Sequence, residues 1–148
     1  MTLNPSQFQP PGPVYHGSPH GFAPGDKIEP RQDRTWLKDG DRAAFGVTNT
    51  STAGYFGVMA AAEPWEGQGR LLSSVYEVEP ASQYELHPSA QKSYDDEVKY
   101  AKSYAPPSPP ENTMPIDRKG FRVKRHAAWA YPVHTKEGYL HEEIHETP

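Results

Sequence analysis

The sequence predicts an α+β fold, in which several short strands accompany one clear helix. Strand-like apolar segments occur along much of the chain, whereas one early segment shows apolar residues at helical spacing. That helix lies between strands and is not repeated after each strand, which argues against alternating βαβ units. The 17 prolines and 12 glycines indicate long loops and short regular elements.

The composition limits the classes of protein and site. A length of 148 residues suits one domain, and a hydrophobic share of 34% indicates a modest core. The chain has no cysteine, which excludes disulfides, thiolate catalysis and cysteine-bound zinc. A net charge of -4 argues against a broad nucleic-acid surface.

The location and the assembly state are expectations drawn from the same composition. No apolar run reaches the roughly 18 residues that a membrane span needs. The segment from Met1 to Gly12 is polar and proline-rich and does not resemble a secretion signal. We therefore expect a monomeric cytoplasmic protein whose partner is a small molecule and not a membrane.

Strands are predicted where apolar or alternating segments end in turn residues. Leu71–Glu79 is the clearest of them, because Leu72, Tyr76 and Val78 share a face and Pro80 follows. The other predicted strands or extended pieces are Val14–His16, Lys27–Glu29, Ala43–Thr48, Ser82–His87 and Phe121–Trp129.

The helix is predicted to begin near Asn49-Thr50-Ser51, which offers N-cap residues, and to end at Glu63-Pro64. Its expected buried stripe consists of Tyr55, Phe56, Val58, Met59 and Ala62. The predicted organisation is an extended lead-in over 1–13, one domain over 14–131 and a polar C-terminal tail over 132–148.

The first strand ends in His16-Gly17-Ser18, which is the first candidate site. Glycine lets a ligand approach the main chain closely. The N–H and C=O of Gly17 can then bind a carboxamide, while the His16 imidazole and the Ser18 hydroxyl can bind sugar hydroxyls. The alternative interpretation is an ordinary strand end followed by a turn.

A resemblance covers most of the chain, from Val14 to Trp129. The sequence resembles the ADP-ribosyltransferases with a His-Tyr-acid active site, and among them the rifamycin (rifampin) ADP-ribosyltransferases. The likeness rests on the order and spacing of several short pieces. These are Tyr15-His16-Gly17-Ser18, Ala23-Pro24-Gly25-Asp26, Ala53-Gly54-Tyr55-Phe56-Gly57, Val75-Tyr76-Glu77-Val78-Glu79-Pro80 and Tyr84-Glu85.

The resemblance implies a split β-sandwich that binds NAD⁺ as co-substrate. It implies that His16 binds a hydroxyl of the adenosine ribose, that Gly17 pairs with the nicotinamide carboxamide and that Ser18 contacts the nicotinamide ribose. Tyr55 would stack on the nicotinamide ring, and a carboxylate, Glu85, would stabilise positive charge on the ribose. The implied acceptor of ADP-ribose is a rifamycin hydroxyl, with a protein or nucleic-acid acceptor as the alternative.

The sequence departs from the family at two positions. The strand that usually presents a Tyr reads Ala43-Ala44-Phe45-Gly46, so that ring stacking must come from Phe45, Tyr55 or both. Only Glu85 remains of the family's acidic run, and Glu77 and Glu79 are rival acids. A catalytically inactive NAD⁺-binding module is therefore an alternative to the enzyme.

Two other signals have competing interpretations. His141-Glu142-Glu143-Ile144-His145 matches the His-Glu-x-x-His pattern of zinc peptidases, although the motif ends three residues before the last residue given. Adventitious metal binding is the favoured reading of that motif. A group of tyrosines either lines an acceptor pocket or packs beneath proline-rich loops; it comprises Tyr84, Tyr94, Tyr100 and Tyr104.

Overall fold

The computed structural model describes residues 9–10, 12–31, 41–62, 72–88, 92, 96, 114–134, 136–138 and 140–148. The described parts form two antiparallel sheets and a helix, which confirms the α+β class. The helix α1 spans Thr50–Ala62. The strands are β1 (Val14–Ser18), β2 (Lys27–Ile28), β3 (Ala44–Phe45), β4 (Ser73–Pro80), β5 (Glu85–Leu86), β6 (Pro115–Asp117), β7 (Phe121–His134) and β8 (Leu140–Glu146).

The larger sheet has five strands, in which β4 lies between β1 and β7. The long strand β7 pairs with β2 at its beginning and with β8 at its end. The smaller sheet has the order β3-β6-β5. The middle strand β6, Pro115–Asp117, pairs with both β3 and β5, although no strand was predicted for this segment.

The two faces of the larger sheet bury different clusters. The β1–β4 register is regular, so alternate side chains of each strand point to opposite faces. The face that carries Val14 and His16 packs towards the small sheet, with a core of Val14, Ile28, Ala44, Tyr76, Val78, Phe121 and Val123. The other face lies under α1, with a core of Val47, Ala53, Val58, Val75, Ala127, Ala128 and Ala130.

Helix α1 begins as predicted, but it buries a different face. The Asn49 side-chain oxygen accepts a hydrogen bond from the Thr52 amide at 2.7 Å, which is an N-cap contact. Val58 of the predicted stripe is buried, but Tyr55, Phe56 and Met59 are exposed, and the side chain of Ala62 lies outside the described part. The helix instead packs through its small residues and Val58, at Ala53, Gly54, Gly57 and Val58. Small side chains allow the helix to approach the sheet closely, and bulky rings on that face would prevent this.

The C-terminal segment belongs to the sheet, contrary to the predicted tail over 132–148. Strand β7 continues to His134, so the predicted boundary after residue 131 falls inside a strand, and β8 pairs with it through Leu140–Glu146. Ile144 packs against the core beneath α1. The strand escaped prediction because five of its seven side chains are glutamate or histidine, and polar side chains are common on sheet edges.

Three predicted segments lie mostly outside the described residues. They are the lead-in, the helix or irregular segment over 89–103 and the proline-rich loop.

In the described part of the chain, no helix combines the length and the apolar character needed to cross a membrane.

Candidate functional site

The outer edge of β3 is where the two sheets meet. Because Gly46 donates its amide proton to Pro115 on the β6 side, Ala43, Phe45 and Val47 direct their main-chain groups to the opposite side. Ala43 exchanges two hydrogen bonds with the main chain of Arg31, at 2.9 and 3.0 Å. Val47 exchanges two with the main chain of Tyr15, at 2.7 and 2.9 Å. Phe45 lies between these two bridges.

The side chain of His16 occupies the position beside Phe45. Its Nδ1 donates a hydrogen bond to the Phe45 carbonyl oxygen at 2.7 Å. The ring also packs edge-on against Phe121, with centroids 6.1 Å apart. His16 therefore joins β1 of the larger sheet to β3 of the smaller one, and this contact fixes the orientation of the ring.

The protonation state of His16 follows from its surroundings. Burial lowers the pKa of His16 below its ordinary value, although the hydrogen bond to Phe45 acts in the opposite direction. The positive charge of Arg31 lowers this pKa further. The ring is therefore neutral at pH 7, with its proton on Nδ1, which leaves Nε2 as a hydrogen-bond acceptor.

Gly17 presents its main-chain groups at the free side of β1. The main-chain groups of Tyr15 bond to Val47, so Tyr15 and its register partner on β4 exchange no main-chain hydrogen bonds. Gly17 and Val75, two residues farther along the strands, also form a non-hydrogen-bonded pair. The N–H and the C=O of Gly17 thus point away from β4, and no described residue bonds to them. One donor and one acceptor stand side by side next to His16.

Gly17 also has a packing role. A Cβ atom at this position would collide with the Ala53 carbonyl of α1 and lie 2.9 Å from the Gly57 amide nitrogen. The absence of a side chain therefore permits the close contact between β1 and α1. Gly17 is therefore required by packing, and its main-chain N–H and C=O have no partner among the described residues.

Ser18 is buried and engaged in the turn that follows β1. Its Oγ accepts a hydrogen bond from the His20 amide at 3.1 Å. The buried Tyr76 hydroxyl fixes the same turn, since it accepts from the Phe22 amide and donates to the His20 carbonyl, both at 2.9 Å. Sequence analysis placed Tyr76 in a strand but missed this role, because only the fold brings these segments together.

Glu85 lies on the same sheet as Phe45. Ile116 is the register partner of both residues, so Phe45 and Glu85 point to the same face of the small sheet, one on each side of Ile116. The Glu85 carboxylate accepts a hydrogen bond from Arg118 Nε at 3.0 Å. Arg118 also lies 3.7 Å from a carboxylate oxygen of Asp41.

The rival acids Glu77 and Glu79 are directed away from His16. Glu77 is the register partner of Tyr15, and Glu79 follows it by two residues, so both side chains belong to the face opposite the imidazole. Glu77 binds Lys124 at 3.1 Å and Arg125 at 3.0 Å. Desolvation opposes ionisation of Glu77, but these two cations together hold its pKa below the usual value. Of the three acids, Glu85 is the one that lies on the small sheet, which His16 contacts at Phe45.

Tyr55 is not brought to this group. Helix α1 covers the face of the larger sheet that is opposite His16, and the Tyr55 side chain is 37% exposed. Its ring contact is with the neighbouring Phe56, at a centroid distance of 6.0 Å. Of the two residues expected to supply a stacking ring, Phe45 is the one that contacts His16, through its carbonyl oxygen. The Phe45 ring is 5.7 Å from that of His87.

The zinc-peptidase pattern falls on strand β8 rather than on a helix. Two histidines four residues apart on a strand are separated by about 13 Å, too far to bind one ion. No group of three or more potential metal-ligating residues occurs in the described part of the chain. The structure therefore gives no support to a metallopeptidase.

Of the four tyrosines considered for an acceptor pocket, Tyr84 lies within the described residues, and Tyr94, Tyr100 and Tyr104 lie outside them. The Tyr84 ring packs against Phe121 at 5.8 Å, and its hydroxyl donates to the Val78 carbonyl at 3.1 Å. Burial raises the pKa of Tyr84 far above its ordinary value. Tyr84 is therefore a packing residue.

Comparison with known proteins adds no assignment: no protein-family description, no curated protein and no solved structure matches the chain.

Proposed function

We propose that this chain is an NAD⁺-dependent mono-ADP-ribosyltransferase whose acceptor is a hydroxyl of a rifamycin-type small molecule. One observation carries the proposal: a neutral His16, whose Nε2 is an acceptor, is followed by Gly17, whose N–H and C=O have no partner among the described residues. A carboxamide needs one donor and one acceptor, and a ribose needs hydroxyl partners. The dinucleotide offers both groups.

The fold is compatible with this proposal. A five-stranded and a three-stranded antiparallel sheet meet where His16 contacts Phe45, as a split β-sandwich requires. Four of the five motifs that carry the family resemblance fall on β1, α1, β4 and β5, and the fifth, Ala23–Asp26, forms a turn before β2. The acceptor preference rests on the resemblance alone.

Each recognition role falls to a residue at this junction. In the proposal, Gly17 binds the carboxamide through its main chain, and His16 Nε2 accepts a hydrogen bond from a ribose hydroxyl. Phe45 supplies the flat ring near the nicotinamide, in place of the absent family Tyr. Tyr55 has no part in this arrangement, since α1 lies on the other face of the sheet.

The reaction needs a negative charge near the sugar. Cleavage of the bond between ribose C1′ and the nicotinamide nitrogen expels neutral nicotinamide and leaves positive charge on the sugar. The Glu85 carboxylate is proposed to stabilise that charge and to orient the ribose 2′-hydroxyl. Its present pair with Arg118 is partly solvent-exposed and is worth about 1 kcal/mol or less, so exchange for a ribose hydroxyl is inexpensive.

A second candidate function is an NAD⁺-binding module without turnover. Two observations favour it: no phenol stands at Ala44 or Phe45, and Glu85 is already paired with Arg118. Both candidates use the same contacts at His16 and Gly17. They differ in whether the carboxylate promotes bond cleavage.

The two functions separate in a combined binding and turnover experiment. NAD⁺ binding is measured by calorimetry, and nicotinamide release is followed with and without a rifamycin, whose mass is then determined. Glu85→Gln is compared with Glu79→Gln, the same change at an exposed position on the face away from His16.

The enzyme predicts rifamycin-dependent nicotinamide release, a product heavier by one ADP-ribosyl group, and a loss of about 100-fold or more in turnover for Glu85→Gln alone. NAD⁺ binding without release by the unaltered protein would establish the inactive module. Absence of NAD⁺ binding would refute both.

A further inference from the structure

Arg31 stands at the same edge of β3 as His16. Its main chain is held by two hydrogen bonds to Ala43, at 2.9 and 3.0 Å. The residue is exposed, and within the described ranges no carboxylate forms an ion pair with its guanidinium. A fixed backbone therefore presents, beside the candidate site, a positive charge that no described carboxylate pairs.

The relative positions of Arg31 and His16 along β3 follow from the strand geometry. Ala43, which holds Arg31, and Phe45, which holds His16, are two residues apart on one edge, a separation of about 7 Å. The charge of Arg31 acts at His16, whose pKa it helps to lower. Arg31 and His16 thus hold neighbouring positions along this edge of β3, with a gap between them.

A main-chain donor lies in that gap. Hydrogen-bonded and non-hydrogen-bonded pairs alternate along β3 and β6. Gly46–Pro115 and Ala44–Asp117 are hydrogen-bonded pairs, so the pair between them, Phe45–Ile116, is not. The Phe45 amide therefore points to the same edge as its carbonyl, away from β6. No described residue accepts a hydrogen bond from this amide. An arginine fork and a free amide N–H are the groups that bind phosphate oxygens in many proteins.

We propose that the Arg31 guanidinium and the Phe45 amide form an anion site that binds the diphosphate of the dinucleotide. The identity of the ligand rests on the proposed function, whereas the anion site itself rests on the geometry of the β3 edge. The site lies next to His16, so that one ligand can place a ribose hydroxyl at the imidazole and a phosphate at Arg31. The chemistry recognised is a phosphate ester or anhydride, whether part of a nucleotide or free.

The test compares ligands that share the diphosphate with one that lacks it. Calorimetry measures the affinities of NAD⁺, ADP-ribose, inorganic pyrophosphate and nicotinamide. The variants are Arg31→Gln, Arg31→Lys and the control Arg42→Gln, which removes the same charge from an exposed residue on the other side of the strand. Thermal unfolding checks that each variant remains folded.

The anion site predicts that Arg31→Gln weakens NAD⁺, ADP-ribose and pyrophosphate at least tenfold and leaves nicotinamide affinity unchanged. Arg31→Lys retains part of the affinity, since the charge remains but the fork is lost. Arg42→Gln changes each affinity less than threefold. Equal effects of Arg31→Gln and Arg42→Gln, or no pyrophosphate and no ADP-ribose binding by the unaltered protein, would overturn the inference.

The same data separate the inference from the proposed function. Arg31-dependent binding of pyrophosphate and ADP-ribose without NAD⁺ binding or nicotinamide release would refute the transferase and retain the anion site. Nicotinamide release with unchanged NAD⁺ affinity in Arg31→Gln would retain the transferase and refute the anion site.

Discussion

The Nδ1 atom of His16 donates a 2.7 Å hydrogen bond to the carbonyl oxygen of Phe45, and this contact joins the two sheets. The main-chain bridges of Arg31 and Tyr15 stand on either side of it along β3. One imidazole thus has two roles to distinguish: Nδ1 completes the junction, and Nε2 is proposed to bind a ligand. The two roles can be separated by substitution.

Substitution of His16 by Asn and by Ala separates the packing role from the binding role. The Asn side-chain amide can replace Nδ1 as the donor to Phe45 but offers nothing at the position of Nε2. We expect His16→Ala to lower the free energy of unfolding by about 1–3 kcal/mol, because the Phe45 carbonyl loses its partner, and His16→Asn to lower it by clearly less.

Both His16 variants should weaken NAD⁺ binding about tenfold, since each loses the Nε2 acceptor. Urea unfolding and calorimetry measure the two effects. An Asn variant that binds NAD⁺ like the unaltered protein would show that Nε2 does not contact the ligand.

Stability should depend on pH through two histidines. Burial lowers the pKa values of His16 and His126 in the folded protein, while in the unfolded chain both titrate near 6.5. Below about pH 6.5 the unfolded state therefore binds more protons than the folded state, and stability decreases as the pH falls. The contribution of the two neutral histidines to stability is fully present above that pH.

Urea unfolding at several pH values between 7.5 and 5.5 tests this dependence. The free energy of unfolding should fall over this interval, and His16→Asn should reduce the slope because one titrating group is removed. A constant free energy of unfolding across the interval would contradict the assignment of neutral, buried rings.

Gly17→Ala should destabilise the protein without any ligand present. The new methyl group would meet the Ala53 carbonyl, which belongs to the helix backbone and cannot move aside alone. We expect a loss of about 1–3 kcal/mol. Gly21→Ala is the matched control, because nothing lies within 4 Å of its added Cβ atom. Equal urea midpoints for the two variants would refute the close contact between β1 and α1.

Strand β8 should contribute to stability and not to metal binding. Ile144 packs on the core beneath α1, next to Gly54 and Ala130. Because Ile144 is half-buried, Ile144→Ala should cost about 1–2 kcal/mol, below the 2–5 kcal/mol typical of fully buried sites. The control His141→Ala should leave stability unchanged, and Zn²⁺ should not raise the melting temperature. A zinc-dependent rise that His141→Ala abolishes would restore the metal site.

Local sequence signals predicted the elements whose ends are marked by a proline or by a capping residue. Pro80 follows the alternating apolar residues of β4, and Asn49 offers a cap, so the central strand and the start of the helix were placed within one or two residues. The helix face was not predictable in this way. Its buried side uses small residues that hydropathy does not distinguish, while Tyr55 and Phe56 remain exposed.

The candidate site shows the same division. His16 and Gly17 were identified from a strand that ends in glycine, whereas no local sequence signal singles out Arg31. Its importance arises from the pairing of Arg31 with Ala43, a contact between residues that are distant from His16 in sequence. Likewise, only strand register shows that Glu77 and Glu79 point away from His16 and that Glu85 shares a face with Phe45.

The Gly17 amide gives the most direct test of the account, because no substitution there leaves the packing intact. An ¹H–¹⁵N correlation spectrum is recorded as NAD⁺ is added, with the Gly21 amide as a reference in the turn that follows β1. The account predicts that the Gly17 resonance shifts with NAD⁺ and, in a separate titration, with nicotinamide alone, while Gly21 changes little. A Gly17 resonance that stays in place at NAD⁺ concentrations that saturate other resonances would contradict the central claim.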